Sequence, residues 1–161
     1  MSDKVIAVNY VDDTLFFSPK AKYIEEVMSK LRDEGGLELE KEDDVAGFLG
    51  VLIVKQEDDS ILMTQSGLAI KIIETLQIDK LPRKFTPAER TPLVKNEEGE
   101  PPELRYNYAS VVGMLQYLQG HSRPDITFAV SQVARYTHNP KRLHEIALER
   151  IGQYLKGTVN K

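Results

Sequence analysis

Near the start of the chain two β-prone runs meet at a pair of aspartates, and this junction constrains the fold more than any other stretch. Val5-Ile6-Ala7-Val8-Asn9-Tyr10-Val11 lies on one side and Thr14-Leu15-Phe16-Phe17 on the other, with Asp12-Asp13 between them. Asp is depleted in strands and favoured in turns, so the pattern predicts a hairpin with both acids at its tip. Two carboxylates held that close repel each other, and a divalent cation relieves the repulsion. Mg²⁺ suits the role, with Mn²⁺ as its substitute, because it binds through one or two carboxylates plus substrate phosphates and keeps several waters. Paired metals about 3.5–4 Å apart are a common device for in-line phosphoryl transfer. The residues alone leave a second reading open: a tight turn carrying two solvated acids.

A length of 161 residues allows one domain or two small subdomains. With no cysteine in the chain, disulfides, thiolate zinc sites and cysteine nucleophiles are excluded. The apolar runs fall well short of the roughly 18 residues that suggest a membrane span. Met1-Ser2-Asp3-Lys4 leads straight into the first strand without a signal-peptide pattern. The expectation is an intracellular protein without membrane contact, with nothing to choose between cytoplasm and nucleus. The net charge of −4 conceals an asymmetry. From Arg105 onward there are 8 Lys/Arg against 3 Asp/Glu, leaving 13 and 22 for residues 1–104. A basic C-terminal part can follow a phosphate backbone and an acidic N-terminal part suits metals, although both sets could simply solvate exposed faces.

Beyond the hairpin, Ile24, Val27, Met28 and Leu31 share one helical face, and Gly35-Gly36 stops that helix. Leu37 and Leu39 alternate with Glu38 and Glu40, which predicts a short edge strand, and residues 40–44 read as an exposed acidic loop. Residues 48–55 and 61–64 predict a second hairpin around a short polar loop. Gly50 inside the first of these runs points to a bulge or to close approach of another backbone. Residues 65–76 carry Leu68, Ile72, Ile73 and Leu76 on one side, predicting a helix. Prolines at 82, 87, 92, 101 and 102 then mark residues 77–104 as a long irregular connection and the best boundary in the chain. Three helices follow. Their apolar faces are Tyr108, Val111, Val112, Leu115 and Leu118; Ile126, Ala129, Val130, Val133 and Ala134; and Leu143, Ile146, Ala147, Ile151, Tyr154 and Leu155. Asn139-Pro140 reads as the N-cap and first position of the last one.

Lys141, Arg142, Arg150 and Lys156 lie on or beside the final helix, placed either for phosphate contact or for ordinary solvation. His121, His138 and His144 lack the spacing of a helical metal pair and read as structural or surface residues. Ser18, Ser66 and Ser110 lack the glycine context of a nucleophile elbow.

The assembled residues resemble one family. Tyr10-Val11-Asp12-Asp13 matches the Tyr-x-Asp-Asp box of reverse transcriptases. Phe48-Leu49-Gly50 followed by Gln65 is similar to the stretch downstream of that box in Ty1/copia-type retrotransposon polymerases. Residues 108–118, the run Arg123-Pro124-Asp125-Ile126-Thr127-Phe128-Ala129-Val130, and Tyr154-Leu155-Lys156-Gly157-Thr158 look like that family's later blocks, in the family's order.

The resemblance implies an α+β fold: the C-terminal half of a polymerase palm over 1–66, a helix and Pro-rich connection over 67–104, and a helical thumb-like bundle over 105–161. It implies RNA-directed DNA synthesis on an RNA/DNA primer–template from deoxynucleotides. Asp12 and Asp13 would be the metal ligands, and Tyr10 and Val11 would line the primer and nucleotide side of the turn. Phe48, Leu49, Gly50 and Gln65 would steady the primer end. A further metal-binding aspartate and the fingers of such polymerases would lie upstream of Met1, so the expectation is a polymerase fragment inactive alone. The alternatives are a non-catalytic nucleic-acid-binding module, or a vestigial structural module that forms a homo-oligomer through an exposed sheet edge.

Overall fold

β-Branched and aromatic residues on either side of Val11-Asp12 form strands β1 (Ile6–Tyr10) and β2 (Asp13–Phe17), paired antiparallel. Tyr10 lies opposite Asp13, Asn9 opposite Thr14 and Ile6 opposite Phe17, so Val11 and Asp12 alone make the link. Across the ladder, Thr14 Oγ1 donates a hydrogen bond to Asn9 Oδ1. Helix α1 (Ala21–Asp33) follows and turns Met28 inward. Gly36, at φ +63°, closes it: its N–H bonds Arg32 O at 3.2 Å, and the Leu37 N–H bonds Leu31 O at 3.2 Å. That pair of bonds is the Schellman closure, which needs a left-handed residue where glycine stands. The closure also corrects the strand expected at Leu37 and Leu39. Leu37 gives its N–H to the helix end, Arg32 Nη2 reaches Leu39 O at 3.3 Å, and residues 36–40 adopt no strand.

The computed structural model of the chain describes residues 4–40, 46–48 (backbone), 50–58, 60–103 and 105–159. Most of the acidic run expected as a loop lies outside these. The chain divides into two compact units, Met1–Phe48 and Leu49–Lys161, where the sequence suggested subdomain limits after residues 66 and 104. The first unit holds β1, β2, α1 and a short strand β3 (Ala46–Phe48).

The second unit opens with the expected hairpin, β4 (Val51–Lys55) against β5 (Ile61–Thr64), in the register Leu52 to Thr64 through Lys55 to Ile61. Gly50 precedes β4 at φ +68°, and a Cβ there would meet nothing within 4 Å. Among the described residues the close approach considered for it is therefore absent, and the glycine serves a turn whose dihedral disfavours a side chain.

Helices α2 (Ser66–Leu76), α3 (Tyr108–His121), α4 (Thr127–Ala134, entered through a 3₁₀ turn at Pro124–Ile126) and α5 (Arg142–Lys156) build the core. Ile72, Leu76, Val111, Leu115, Leu118, Val130, Leu148, Ile151 and Leu155 are buried there. Asn107 Oδ1 caps α3 by accepting the Ser110 N–H at 2.9 Å. Gly152 lets α5 approach α2 closely, since a Cβ at that position would collide with the Cδ1 atoms of Leu76 and Ile78. Helix α5 begins two residues later than Asn139-Pro140 suggested. Its start is set by His144, whose Nδ1 accepts the Lys141 N–H at 2.9 Å. With Nδ1 an acceptor, the ring carries its proton on Nε2, which donates to Val94 O at 3.0 Å. His144 is buried and stacked on Tyr136 with ring centroids 3.9 Å apart, as its structural reading anticipated.

Residues 78–106 join α2 to α3 without helix or strand among those described. This long connection is fastened down at many points. Gln153 Nε2 donates to Pro82 O at 2.9 Å, Tyr136 Oη donates to Leu93 O at 2.9 Å, and Arg142 N–H donates to Glu100 O at 2.9 Å. Peptide groups that no ladder satisfies thus find partners on α4, α5 and the turn between them, which keeps so long a segment ordered.

Candidate metal centre and basic helix

The hairpin tip gathers Tyr10, Val11, Asp12 and Asp13 within one turn. The link has two residues, with positive φ at Val11 (49°) and not at Asp12, the pattern of a II′-type turn. Glycine normally occupies that first position. A β-branched valine at positive φ carries local backbone strain, a feature that clusters at functional sites. Tyr10 shares a cross-strand pair with Asp13 and is 55% exposed; Val11 is 78% exposed, and both aspartates are exposed. Neither carboxylate has a hydrogen-bond or ion-pair partner among the described residues. Hard oxygen donors of this kind fit Mg²⁺ or Mn²⁺ held jointly with phosphate oxygens and water. They do not enclose an ion by themselves, and no group of three or more His, Cys, Asp or Glu among the described residues could hold a metal.

The residues expected to steady the primer end divide differently. The Phe48 side chain and all of Leu49 lie outside the described residues. Gly50 occupies the turn before β4. Gln65 is buried at 4% exposure, and its Oε1 accepts from Ser122 Oγ at 2.9 Å, tying the start of α2 to the end of α3. Its amide thus serves the packing of the helical unit rather than an open surface.

The basic side chains of α5 have partners inside the fold. Arg142 donates to Glu145 Oε2 at 2.5 Å and pairs with Glu103 at 3.1 Å and Glu149 at 3.5 Å. The hydrogen bond that it donates to Glu145 is the main cause holding the Arg142 guanidinium above its ordinary pKa. Arg150 pairs with Glu89 and donates to Thr86 Oγ1 at 2.9 Å. Lys156 Nζ donates to the carbonyls of Asp79 and Leu81. Lys141 stands at the N-cap, its backbone N–H bonded to His144. Three of the four side chains expected at phosphates therefore fasten the connection onto α5. Glu149, also buried, has its pKa raised by burial, against the opposing pull of Arg142 and Arg105.

Arg123 is the polar residue whose role the sequence did not reveal. It is 4% exposed, grips Asp125 through Nε at 2.9 Å and Nη2 at 2.8 Å, and donates through Nη1 to Thr158 O at 2.9 Å. Tyr154 Oη donates to Asp125 Oδ2 at 2.7 Å and completes the clamp. Hydrogen bonds from Arg123 hold the Asp125 carboxyl below its ordinary pKa. The Arg-Pro-Asp run and the later Tyr and Thr are thus one link, anchored by the buried Arg123, between the start of α4 and the end of α5. Their separation of about 30 residues gives no local sequence signal.

Comparison with known proteins adds the lineage. The chain is 26% identical over 149 residues to a retrovirus-related Pol polyprotein from transposon RE2 of Arabidopsis thaliana, across 92% of its own length. It is 27% identical over 165 residues to that of transposon TNT 1-94 of Nicotiana tabacum, across 96%. The chain is related to the Pol polyproteins of copia-type transposons. A putative transposon Ty5-1 protein of Saccharomyces cerevisiae is 29% identical over 155 residues, covering 92% of this chain and 48% of the yeast protein. The Pol-related chain spans about a tenth of the length of the two Arabidopsis polyproteins. No family model matches it, and no solved structure matches it. Among the described residues no helix is long and apolar enough to cross a membrane.

Proposed function

We propose that this retroelement-derived chain carries the metal-binding hairpin of an RNA-directed DNA polymerase, with the first unit palm-like and the helices of the second thumb-like. The observation that carries this reading is the placement of Tyr10-Val11-Asp12-Asp13. The box falls on a two-residue hairpin turn with both carboxylates exposed and the backbone strained at Val11. Bound there, Mg²⁺ would polarise a phosphoryl group for attack by a primer 3′-hydroxyl. The chain's own part is narrower: Asp12 and Asp13 hold the ion, and Tyr10, beside Asp13 in the ladder, walls one side of it. Two carboxylates leave most of the ion's coordination to substrate and to further ligands, so the proposal is a half-site, competent only when completed.

Mn²⁺ titration followed by NMR tests the half-site directly. Paramagnetic broadening should start at the amides of residues 10–14 and disappear in Asp12→Asn and Asp13→Asn. Uniform weak broadening, unchanged by those substitutions, would reduce the tip to a solvated turn. Primer extension on an RNA template in Mg²⁺ then tests completeness. Extension abolished by Asp12→Asn would show that the missing ligands are supplied, and no extension would leave binding as the chain's share of the chemistry.

A further inference from the structure

Beneath the connecting segment, between it and helices α4 and α5, lies a cavity of about 340 Å³. Leu81, Leu93, Ala129, Val133, Leu143 and Ala147 supply much of its wall. The size and apolar lining are those of a binding pocket rather than a packing defect. Among its lining side chains Phe128 is 56% exposed, Ile146 50% and Leu143 40%, so the cavity opens onto an apolar patch. One further apolar side chain belongs to this region without lining the cavity. Phe85 is 97% exposed, and Lys84 just before it and Pro87 two residues after it both form part of the wall.

We propose that this face pairs two copies of the chain about a two-fold axis, each placing Phe85 in the other's cavity. A two-fold contact uses one surface patch on both partners, so projection and recess must lie side by side on it. The connecting segment supplies that arrangement. It walls the cavity with Lys84 and Pro87 and turns Phe85 to solvent between them, while the Lys84 N–H, bonded to Gln153 O at 3.3 Å, holds the segment against α5. A phenyl ring fits within the recess and suits its apolar lining, and burying such a ring is among the larger contributions a single residue makes to an interface. The rim suits pairing with itself as well. Lys84 and the Glu89–Arg150 pair stand there, so a second copy meets charges of both signs rather than a surface of one sign.

Sedimentation equilibrium of the full chain over a wide concentration range tests the proposal. A reversible dimer is expected, with Phe85→Ser raising its dissociation constant at least about tenfold. Ala147→Leu, which fills the recess, should weaken the dimer similarly. Circular dichroism and thermal unfolding check that each variant is folded; Phe85 makes so little contact with its own fold that its substitution should leave both unchanged. Mixing the two variants gives the sharpest readout. One offers an open recess and the other an intact Phe85, so the mixture should associate more tightly than either variant alone. A chain monomeric at every concentration overturns the proposal. So does a dimer indifferent to Phe85→Ser, which would place the contact at a sheet edge, or a wild-type chain that takes up only small apolar molecules or an unrelated protein at this site.

Discussion

The two compact units are held together by different means. In the first, Met28 is the only buried side chain among the described residues, and Ile6, Val8, Tyr10, Val11 and Phe17 are all largely exposed. Its order rests on ladder hydrogen bonds, a helix and a Schellman closure, and a two-stranded hairpin is only marginally stable by such means. The second unit buries an apolar layer from four helices and adds the Arg123 clamp and the Arg142 network. The unit carrying the candidate chemistry is therefore the one with least burial of its own. The residues that carry stability and the candidate metal ligands occupy different parts of the chain, and substitutions should separate them.

Truncation in the core gives the largest effect. Leu155 is fully buried within the helical layer, and Leu155→Ala should cost about 3 kcal/mol through lost transfer energy and a residual cavity. Urea unfolding monitored by far-ultraviolet circular dichroism reads that loss. If the hairpin amides keep their exchange protection while the helices lose theirs, the two units unfold separately; loss of both together would show a single cooperative fold.

Next comes the clamp. Arg123→Met keeps much of the buried stem but leaves the Thr158 carbonyl without its donor and Asp125 with Tyr154 alone, at a cost of about 2 kcal/mol. The pH dependence identifies the cause. Because the folded-state pKa of Asp125 is lowered, the stabilisation it provides is fully present above the ordinary aspartate range and fades as pH falls through the lowered value. The gap between wild type and Arg123→Met should therefore be widest near neutrality and narrow below about pH 4. A gap constant down to the acid limit would assign the loss to packing around the guanidinium stem instead.

Legibility from sequence follows the same division. Helical periodicity located α1 to α5, because each keeps its apolar residues on one stripe, and β-prone runs flanking polar tips located both hairpins. The reading failed where a contact distant in sequence, or a helix closure, overrode a local pattern. Leu37 and Leu39 alternate like a strand, yet the left-handed Gly36 commits Leu37 to closing α1. Asn139-Pro140 looks like a helix start, yet the His144 ring sets the start at Arg142. Arg142, Arg150 and Lys156 look available to phosphate because sequence does not show their partners on a connection 39 to 77 residues earlier. The aspartate pair was legible because a two-residue turn is local, whereas any completing ligand would be remote.

Smaller effects are expected in the first unit. Val11 occupies positive φ where glycine is unstrained, so Val11→Gly should stabilise the hairpin by about 1 kcal/mol. Slower hydrogen exchange at residues 7–9 and 14–16, with the helices unchanged, is the expected readout. Faster exchange would mean that the valine side chain contributes more to the hairpin than its dihedral costs.

The smallest effect is the most informative about the acids. Asp12 and Asp13 are exposed and have no ion-pair partner among the described residues, so Asp12→Asn should change thermal stability by less than about 0.5 kcal/mol without metal. Any change should be a slight gain, because one of two adjacent negative charges is removed, and it should shrink as salt screens the repulsion. Added Mg²⁺ should abolish this gain by stabilising the wild-type hairpin more than the variant, since an ion bound only to the folded tip shifts its unfolding equilibrium. A wild-type tip more stable than Asp12→Asn in the absence of any divalent ion would give the aspartate a structural partner and remove the reason for assigning it to a metal.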